Sequence, residues 1–359
     1  MAEIVNIKLV LEDGSEITGK SFGAPESVAG EVVFNTAMTG YPESLTDPSY
    51  KGQILVLTYP LIGNYGVPVS EEEGGMFKYY ESDKIQISGL VISDYSFDYS
   101  HWNAESSLAG WLQKNNVPGI FGLDTRALTK KLREKGTMLG KIVVNDRDVE
   151  WYDPNKENLV AAVSTKKKEV YGNGKYKILL IDCGVKNNII RYFLEKDTTV
   201  IRVPWNTDLS KEEYDGLFIS NGPGDPKMCT QTIKQLEVAI ENDKPIFGIC
   251  LGNQLLSLAS GADTYKLKYG HRSHNQPVLK VGTNRAYISS QNHGFAVDND
   301  TLGDDWEPLF ININDQTNEG MKHKTKAIFC TQFHPEASGG PTDTAFLFDE
   351  FMDLIKQQD

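Results

Sequence analysis

Apolar strand-like segments alternate with helical segments throughout the second half of this sequence, and no other feature restricts its fold as strongly. Lys177–Asp182 is a continuous apolar run, K-I-L-L-I-D, while Gln231–Asn242 places apolar residues at helical spacing. Apolar strands separated by helices predict a mostly parallel sheet flanked by helices, the α/β class. Because ligands of such sheets bind at the carboxyl ends of the strands, we expect the functional residues of this half at that edge.

The other segments of the second half continue the alternation. Short apolar runs bounded by turn residues predict strands, and longer amphipathic runs predict helices. The predicted strands are Thr199–Val203, Gly216–Ser220, Pro245–Ile249, Tyr287–Ser289 and Ala327–Phe333, and the predicted helices are Asn187–Glu195, Asn253–Ser260 and Thr344–Lys356.

The first half is rich in β-branched runs, glycines and turns, which predicts a β-rich α+β domain. Asp13-Gly14 stands between Lys8–Leu11 and Glu16–Thr18 and indicates a hairpin. The other predicted elements are strands at Glu31–Asn35, Gln53–Tyr59, Gln86–Ser93 and Gly140–Val144 and helices at Ser106–Lys114 and Thr125–Glu134.

A charge cluster beside a glycine-rich turn separates the two halves. Lys166-Lys167-Lys168-Glu169 is followed closely by Gly172-Asn173-Gly174. This composition predicts a solvated linker at residues 166–176, between an N-terminal domain of residues 1–165 and a C-terminal domain of residues 177–359. The alternative is a surface loop inside one domain. A length of 359 residues suits two domains.

Charge and cysteine usage exclude several function classes. The 36 Lys plus Arg against 49 Asp plus Glu give a net charge of −13, which argues against nucleic acid or an anionic membrane as a partner. No apolar run approaches the ~18 residues of a membrane span. The N-terminus lacks the basic region of a signal peptide, so we expect a cytoplasmic protein. The four cysteines form no C-x-x-C motif, so neither a disulfide scaffold nor a zinc cluster is expected.

Cys250 is the candidate nucleophile. It follows a predicted strand and precedes a predicted helix, with Gly248 and Gly252 at the spacing G-x-C-x-G. This is the cysteine counterpart of the G-x-S-x-G nucleophile elbow, and the helix N-terminus favours a thiolate. The alternative is a buried structural cysteine, which is the usual role of a free cysteine.

His334 and Glu336, in the motif F-H-P-E, are the candidate base and its orienting carboxylate. The strand Ala327–Phe333 delivers His334 to the expected edge, and Glu336 follows two residues later. A cysteine nucleophile needs such a base, and the base needs an anchor. The motif alone is a weak signal, but it gains weight from the Cys250 elbow in the same domain.

Acyl chemistry also needs donors for an oxyanion. The loop S-N-G-P-G-D-P after a predicted strand contains Gly222 and Gly224, whose backbone N–H groups can approach a ligand closely. The amide of Leu251, next to the nucleophile, is the second natural donor. Taken alone, the loop would be interpreted as a tight turn rather than as an oxyanion site.

The remaining cysteines and the histidine pair are expected to be structural. Cys183 follows a strand but lacks the preceding glycine of an elbow. His271 and His274 form H-x-x-H without a further ligand at helical spacing, so no metal site is expected. Cys229 and Cys330 are assigned to a loop and to a strand of the core.

The long motifs together carry a family resemblance. G-I-C-L-G-N-Q, N-G-P-G-D-P, Q-N-H-G-F-A-V and F-H-P-E resemble a class I glutamine amidotransferase domain with a Cys–His–Glu triad. In the first half, residues 30–50, 57–66 and 124–136 resemble the small subunit of carbamoyl-phosphate synthetase, and the likeness covers essentially the whole chain. It departs at Asn253, where many relatives carry histidine, and we expect this change to tune activity rather than abolish it.

The resemblance implies roles for particular residues. Cys250 would attack the side-chain amide of glutamine, His334 would move the protons and Glu336 would orient His334. The residues implied in glutamine binding are Ser49, Gly222, Gly224, Leu251, Gln254, Asn292, Gly294 and Phe295. Without the resemblance, Ser49 would be interpreted as a turn cap.

The resemblance also implies partners. Ammonia released from L-glutamine would pass through a tunnel to a large subunit that holds ATP and Mg and makes carbamoyl phosphate from bicarbonate, while no cofactor is expected on this chain. No P-loop motif is present, which agrees with this division of labour. Association of the heterodimers into larger assemblies, and a product destined for arginine, pyrimidines or both, are left open. The alternatives are a non-catalytic regulatory subunit and a stand-alone amidase.

Overall fold

The computed structural model describes residues 6–358, which form two compact units. The first unit ends at Glu157 and the second begins at Asn158. The segment predicted as a linker, 166–176, therefore lies inside the second unit, where Glu169–Tyr171 pairs with a neighbouring strand. Lysines suit the exposed edge of a sheet as well as they suit a linker, so composition alone did not separate the two cases.

The first unit is built on a closed barrel of seven strands. The strands of this unit are β1 (Asn6–Leu11), β2 (Glu16–Ser21), β3 (Val28–Asn35), β4 (Gln53–Leu57), β5 (Leu61–Ile62), β6 (Val67–Pro68), β7 (Glu72–Glu73), β8 (Met76–Phe77), β9 (Gly89–Val91), β10 (Asp94–Tyr95), β11 (Ala104–Ser106), β12 (Gly119–Phe121) and β13 (Met138–Val144). Around the barrel the order is β1, β13, β3, β4, β9, β12 and β2.

Local sequence explains the elements of the first unit. The β1–β2 hairpin turns at Gly14, whose φ of +84° suits a residue without a side chain. The helices are α1 (Tyr41–Thr46), α2 (Leu108–Lys114) and α3 (Thr125–Lys135). Ser107 and Asp124 cap α2 and α3 by accepting backbone N–H bonds. The predicted β-rich α+β character is confirmed, while closure into a barrel was not predicted.

The second unit contains a ten-stranded sheet. The strands are β14 (Glu169–Tyr171), β15 (Tyr176–Asp182), β16 (Thr198–Pro204), β17 (Gly216–Ile219), β18 (Ile246–Ile249), β19 (Thr264–Lys280), β20 (Ala286–Val297), β21 (Trp306–Asn312), β22 (Asn318–His323) and β23 (Ile328–Thr331). Their order in the sheet is β14, β16, β15, β17, β18, β23, β22, β21, β19 and β20.

Five adjacent strands, β16, β15, β17, β18 and β23, are mutually parallel and confirm the predicted α/β class. The helices are α4 (Val160–Val163), α5 (Asn187–Leu194), α6 (Thr230–Glu241), α7 (Leu251–Ala259) and α8 (Phe346–Lys356). The carboxyl ends of β15, β17, β18 and β23 therefore meet along one edge of the sheet.

An antiparallel extension from β22 to β20 was not predicted, apart from Tyr287–Ser289. Strand β19 runs for 17 residues and carries many polar side chains, with bulges that interrupt its pairing. Such a strand lacks the strict alternation by which strands are detected in a sequence. Within residues 6–358, no helix is both long and apolar enough to cross a membrane.

Candidate active site

Cys250 lies at the turn between β18 and α7. Its φ of 55° and ψ of −103° are rare for a residue with a side chain, so the turn is strained. The Cys250 N–H donates to the carbonyl oxygen of Thr331 at 2.8 Å, which ties the turn to the end of β23. The thiol approaches the carbonyl oxygen of Asn292 at 3.7 Å and is 2% exposed. The predicted elbow therefore holds the sulfur at the start of a helix, where negative charge is stabilised.

The two glycines that flank Cys250 are needed for steric reasons. A Cβ on Gly252 would lie 2.2 Å from the carbonyl oxygen of Ile219, and one on Gly248 would lie 2.8 Å from the backbone of Gly252. Helix α7 can approach β17 and β18 this closely only because both positions lack a side chain. The G-x-C-x-G spacing thus sets the depth of the elbow against the sheet.

His334 and Glu336 lie after β23, the strand beside β18, and both are buried. Nδ1 of His334 and Oε1 of Glu336 are 2.7 Å apart, and the backbone N–H of His334 donates to Ser290 of β20. Apart from the Cys250 thiol, Nε2 has no hydrogen-bond partner among residues 6–358. The Cys250 thiol lies close enough to this imidazole to influence its pKa. The structure thus brings together the three side chains predicted to form the triad.

Lys186 is a further charged side chain at this site, and sequence reasoning missed it. Its Nζ lies 2.6 Å from Oε1 of Glu336, and both side chains are buried. Lys186 follows β15 by four residues, at the N-terminus of α5. The edge rule that led to Cys250 also applies here, so a lysine just after an apolar strand was a usable signal. Asn188 adds a side-chain hydrogen bond to the Glu336 carbonyl.

The charges at the site set the protonation of the pair. Burial raises the pKa of Glu336, but the Lys186 ammonium and then His334 lower it by more, to about 2. Burial and Lys186 lower the pKa of His334, but Glu336 and Cys250 raise it by more, to about 9. Near neutral pH the arrangement therefore favours a glutamate anion beside a protonated imidazole, which can donate a proton to a leaving group.

The loop after β17 lies at the same edge as Cys250. A Cβ on Gly222 would lie 2.1 Å from the carbonyl oxygen of Cys183, so this close approach requires glycine. Ser220 accepts a hydrogen bond from the Cys183 N–H at 2.9 Å and fixes the loop. Gly224 has a φ of +85°, and Leu251 is the first residue of α7, where N–H groups lack intrahelical partners. The predicted oxyanion donors thus follow neighbouring strands.

Besides Gly222, Gly224 and Leu251, the residues predicted to bind glutamine fall into three groups. The first group lies on β20 and contains Asn292, Gly294 and Phe295. This strand lies beside the elbow, as the contact between the Cys250 thiol and the Asn292 carbonyl shows. Gln254 lies one turn into α7 and donates to the Phe295 carbonyl at 2.9 Å. Ser49 belongs to the first unit, in the turn Pro48–Tyr50, where its N–H donates to Asp47 at 2.9 Å. The binding of glutamine by these residues stays a prediction.

One buried cluster has the residue types of a metal site. His271, His293 and Glu319 each place a ligand atom within 4.8 Å of the others. The His271 ring also contacts Asp315 at 2.8 Å, while Nδ1 of His293 donates to the Phe295 carbonyl at 2.8 Å. Burial lowers the pKa of His271, but Asp315 and then Glu319 raise it to about 9, which favours an ion pair over a metal ligand. The absence of metal stays a prediction.

The other three cysteines are buried and unpaired. Burial is the largest cause that raises the pKa of Cys229 and of Cys330 to about 12, and it also raises that of Cys183. Such thiols stay protonated near neutral pH and are poor nucleophiles. Cys330 donates to Oδ1 of Asn253 at 2.9 Å, so Asn253 links α7 to β23.

Comparisons with known proteins agree with this geometry. The family model for Glutamine amidotransferase class-I matches residues 179–354, which contain the elbow and the His–Glu pair. The second unit therefore belongs to the class I glutamine amidotransferase family. The model for the CPSase domain of the Carbamoyl-phosphate synthase small chain matches residues 9–142. The chain belongs to the carbamoyl-phosphate synthase small-chain family.

Individual relatives differ in length. The chain is 52% identical to the carbamoyl phosphate synthase arginine-specific small chain of Saccharomyces cerevisiae, over 97% of this chain and 88% of that protein. It is also 52% identical to the mitochondrial carbamoyl-phosphate synthase [ammonia] of Mus musculus, but spans only 24% of that protein. A solved glutamine amidotransferase from Thermotoga maritima is 19% identical with a TM-score of 0.39, over 52% of this chain and 84% of that one.

Proposed function

We propose that this chain is the glutaminase component of a carbamoyl-phosphate synthetase. It hydrolyses L-glutamine to glutamate and ammonia, and the ammonia passes through an internal tunnel to a large subunit. The observation that carries the proposal is the buried triad of Cys250, His334 and Glu336 at one sheet edge. Membership of the small-chain family supports the choice of glutamine as the substrate.

The first half of the reaction forms a thioester. The Cys250 sulfur attacks the side-chain amide carbon of glutamine, and His334 holds the thiol proton as an imidazolium. The N–H groups of Gly222 and Leu251 stabilise the oxyanion. Loss of one such donor typically costs about 3 kcal/mol of barrier. The imidazolium then protonates the departing nitrogen, so ammonia leaves and a γ-glutamyl thioester remains.

The second half of the reaction regenerates the thiol. His334, now neutral, takes a proton from water as the water attacks the thioester carbon. The carbon–sulfur bond breaks, and the imidazolium returns its proton to the Cys250 sulfur. Glu336 stays ionised throughout. Burial raises its pKa, but Lys186 lowers that pKa by more and holds it far below neutrality. The products are glutamate and one ammonia, and no oxidant or reductant is consumed.

The partner is a large subunit that carries ATP and Mg and combines the ammonia with bicarbonate. Channelling has a chemical reason, because free ammonia near neutral pH is mostly protonated and no longer nucleophilic. The relatives support such a partner. The chain spans 88% of the yeast small chain but only 24% of the mouse protein, so most of the mouse protein lies outside the matched region. Assembly of these pairs into larger complexes and a cytoplasmic location belong to the same proposal.

A second candidate is a small chain that has lost glutamine hydrolysis and only regulates its partner. One observation favours this second candidate: the mouse relative, at 52% identity, is a carbamoyl-phosphate synthase whose name specifies ammonia. The intact elbow and the His334–Glu336 contact argue against loss of activity in this chain. A stand-alone amidase is a third candidate, and it would show full activity without any large subunit.

The decisive variant is Cys250→Ser, tested in a complex reconstituted with a carbamoyl-phosphate synthetase large subunit. Glutamine-dependent carbamoyl phosphate synthesis should fall below detection, while ammonia-dependent synthesis should persist, because only the first needs the thiol. Cys229→Ser is the matched control, since Cys229 is equally buried at the start of α6, where serine is a good cap. Loss of both activities in an assembled complex would contradict the proposal.

A further inference from the structure

Gln332 is a buried polar residue at the carboxyl end of β23, two positions before His334, and the reaction above gives it no role. Its side chain is 0% exposed. Oε1 accepts one hydrogen bond from Nδ2 of Asn253 and another from Nε2 of Gln254, each at 3.1 Å. The backbone N–H of Gln332 donates to the Glu319 carbonyl at 2.9 Å, which fixes the main chain.

The two donors determine which way the Gln332 amide points. If the amide were rotated by 180°, its own NH2 group would face the NH2 groups of Asn253 and Gln254. In the observed orientation, Nε2 of Gln332 is buried without a hydrogen-bond partner among residues 6–358. An unpaired buried amide destabilises a fold, so this arrangement points to a role beyond packing.

The Gln254 amide is oriented in turn. Nε2 of Gln254 donates to the Phe295 carbonyl at 2.9 Å and to Oε1 of Gln332 at 3.1 Å, so both of its N–H groups are used. These two bonds engage only the nitrogen of the Gln254 amide and leave Oε1 as its acceptor. Gln254 lies four residues after Cys250, and positions four apart share a helix face. The acceptor oxygen is therefore the atom that Gln254 can offer to a bound molecule.

We propose that Gln332 is a positioning residue that holds the Gln254 amide with its oxygen available to the substrate. This inference rests on the proposed function, with the side-chain amide of glutamine at Cys250. An oxygen acceptor at Gln254 then matches the α-ammonium group, which is the other donor of L-glutamine. A reversed amide would present N–H donors to that cation and repel it. Gln332 thereby sets the preference for substrates with an α-ammonium group.

The test compares hydrolysis of L-glutamine with that of 4-carbamoylbutanoate, which has the same amide and carboxylate but no α-amino group. Gln332→Met removes the acceptor at similar volume. We expect it to raise KM for L-glutamine about tenfold, with little change in kcat, and to reduce the preference over 4-carbamoylbutanoate about tenfold. Gln332→Glu retains an acceptor oxygen and should preserve the preference. Gln86→Met, at another buried glutamine, is the matched control.

A double-substitution cycle shows whether Gln332 acts through Gln254. Gln254→Ala alone should reduce the preference, and adding Gln332→Met should reduce it no further, because the residue it positions is gone. Additive effects, or a loss of kcat with an unchanged preference, would overturn the proposal. Thermal unfolding identifies any variant that does not fold. If Gln332→Met does not fold, Gln332→Asn replaces it in the test. We expect the same loss of preference, because the shorter amide cannot reach both donors.

The proposed function is tested separately in the same assays. Hydrolysis of L-glutamine by the wild-type complex establishes it, whatever the Gln332 variants do. Calorimetric binding of both compounds to Cys250→Ser complexes, with and without Gln332→Met, measures the preference without catalysis. A tenfold loss of preference in binding supports the role of Gln332, and an unchanged preference overturns it.

Discussion

At the residue scale, the site depends on one carboxylate shared by two cations. Glu336 is fully buried and contacts both Lys186 and His334 through Oε1. Without Glu336, the burial of two positive groups would be unfavourable, and the imidazole would lose the partner that fixes its orientation. Glu336 thus has a double role, in orienting the base and in balancing charge.

Glu336→Gln should lower glutaminase kcat by about 10². The neutral amide no longer opposes the effects of burial and of Lys186, so the pKa of His334 falls from about 9. The imidazolium that protonates the leaving ammonia is then disfavoured. Steady-state ammonia release checks the rate, and NMR titration of the His334 ring checks the pKa.

Asp349→Asn is the control for the loss of a negative charge as such. Asp349 is largely exposed and pairs with Lys196 on the surface of the second unit. Its removal should change kcat by less than about twofold, because exposed ion pairs contribute little. An equal fall in both variants would show that net charge, not the contact with His334, explains the effect.

At the element scale, the depth of α7 against the sheet decides whether the nucleophile is presented. Two backbone approaches, at Gly248 and Gly252, have no room for a side chain. Cys250 itself has a strained backbone that the surrounding contacts must maintain. A small displacement of α7 would therefore move the sulfur, the Leu251 amide and Gln254 together.

Gly252→Ala should abolish most glutaminase activity and lower stability by about 2–3 kcal/mol, since its Cβ would meet the Ile219 carbonyl oxygen at 2.2 Å. Gly303→Ala is the matched control, because a Cβ there has nothing within 4 Å. Urea unfolding and ammonia release measure both effects. Equal, small changes in the two variants would show that α7 tolerates displacement.

At the scale of the whole molecule, two buried histidines with raised pKa values couple stability to pH. Burial lowers the pKa of both His334 and His271. Glu336 and Cys250 raise that of His334, and Asp315 and Glu319 raise that of His271, each to about 9. A histidine whose folded pKa lies above its unfolded value stabilises the fold fully below about pH 6.5, and this stabilisation is lost as the pH rises through 9. The net charge of −13 adds self-repulsion in the same direction.

The free energy of unfolding should therefore fall between pH 6.5 and 9, with each histidine contributing about 2–3 kcal/mol. His271→Gln should make this decline shallower, because its imidazolium no longer balances Asp315 and Glu319. Urea titrations at several pH values measure the slope. His101→Gln, at an exposed histidine, is the control, and identical slopes in all three proteins would refute the coupling.

The sequence alone determined the α/β class, the elbow at Cys250 and the candidate base at His334, because periodicity, turn chemistry and strand-end position are local properties. It did not reveal Lys186, Gln332, barrel closure or the β19–β20 extension. Each of these depends on residues distant in the chain that meet only after strands have paired. A buried lysine or glutamine has the same sequence signature as an exposed one, and only its tertiary neighbours decide what it does.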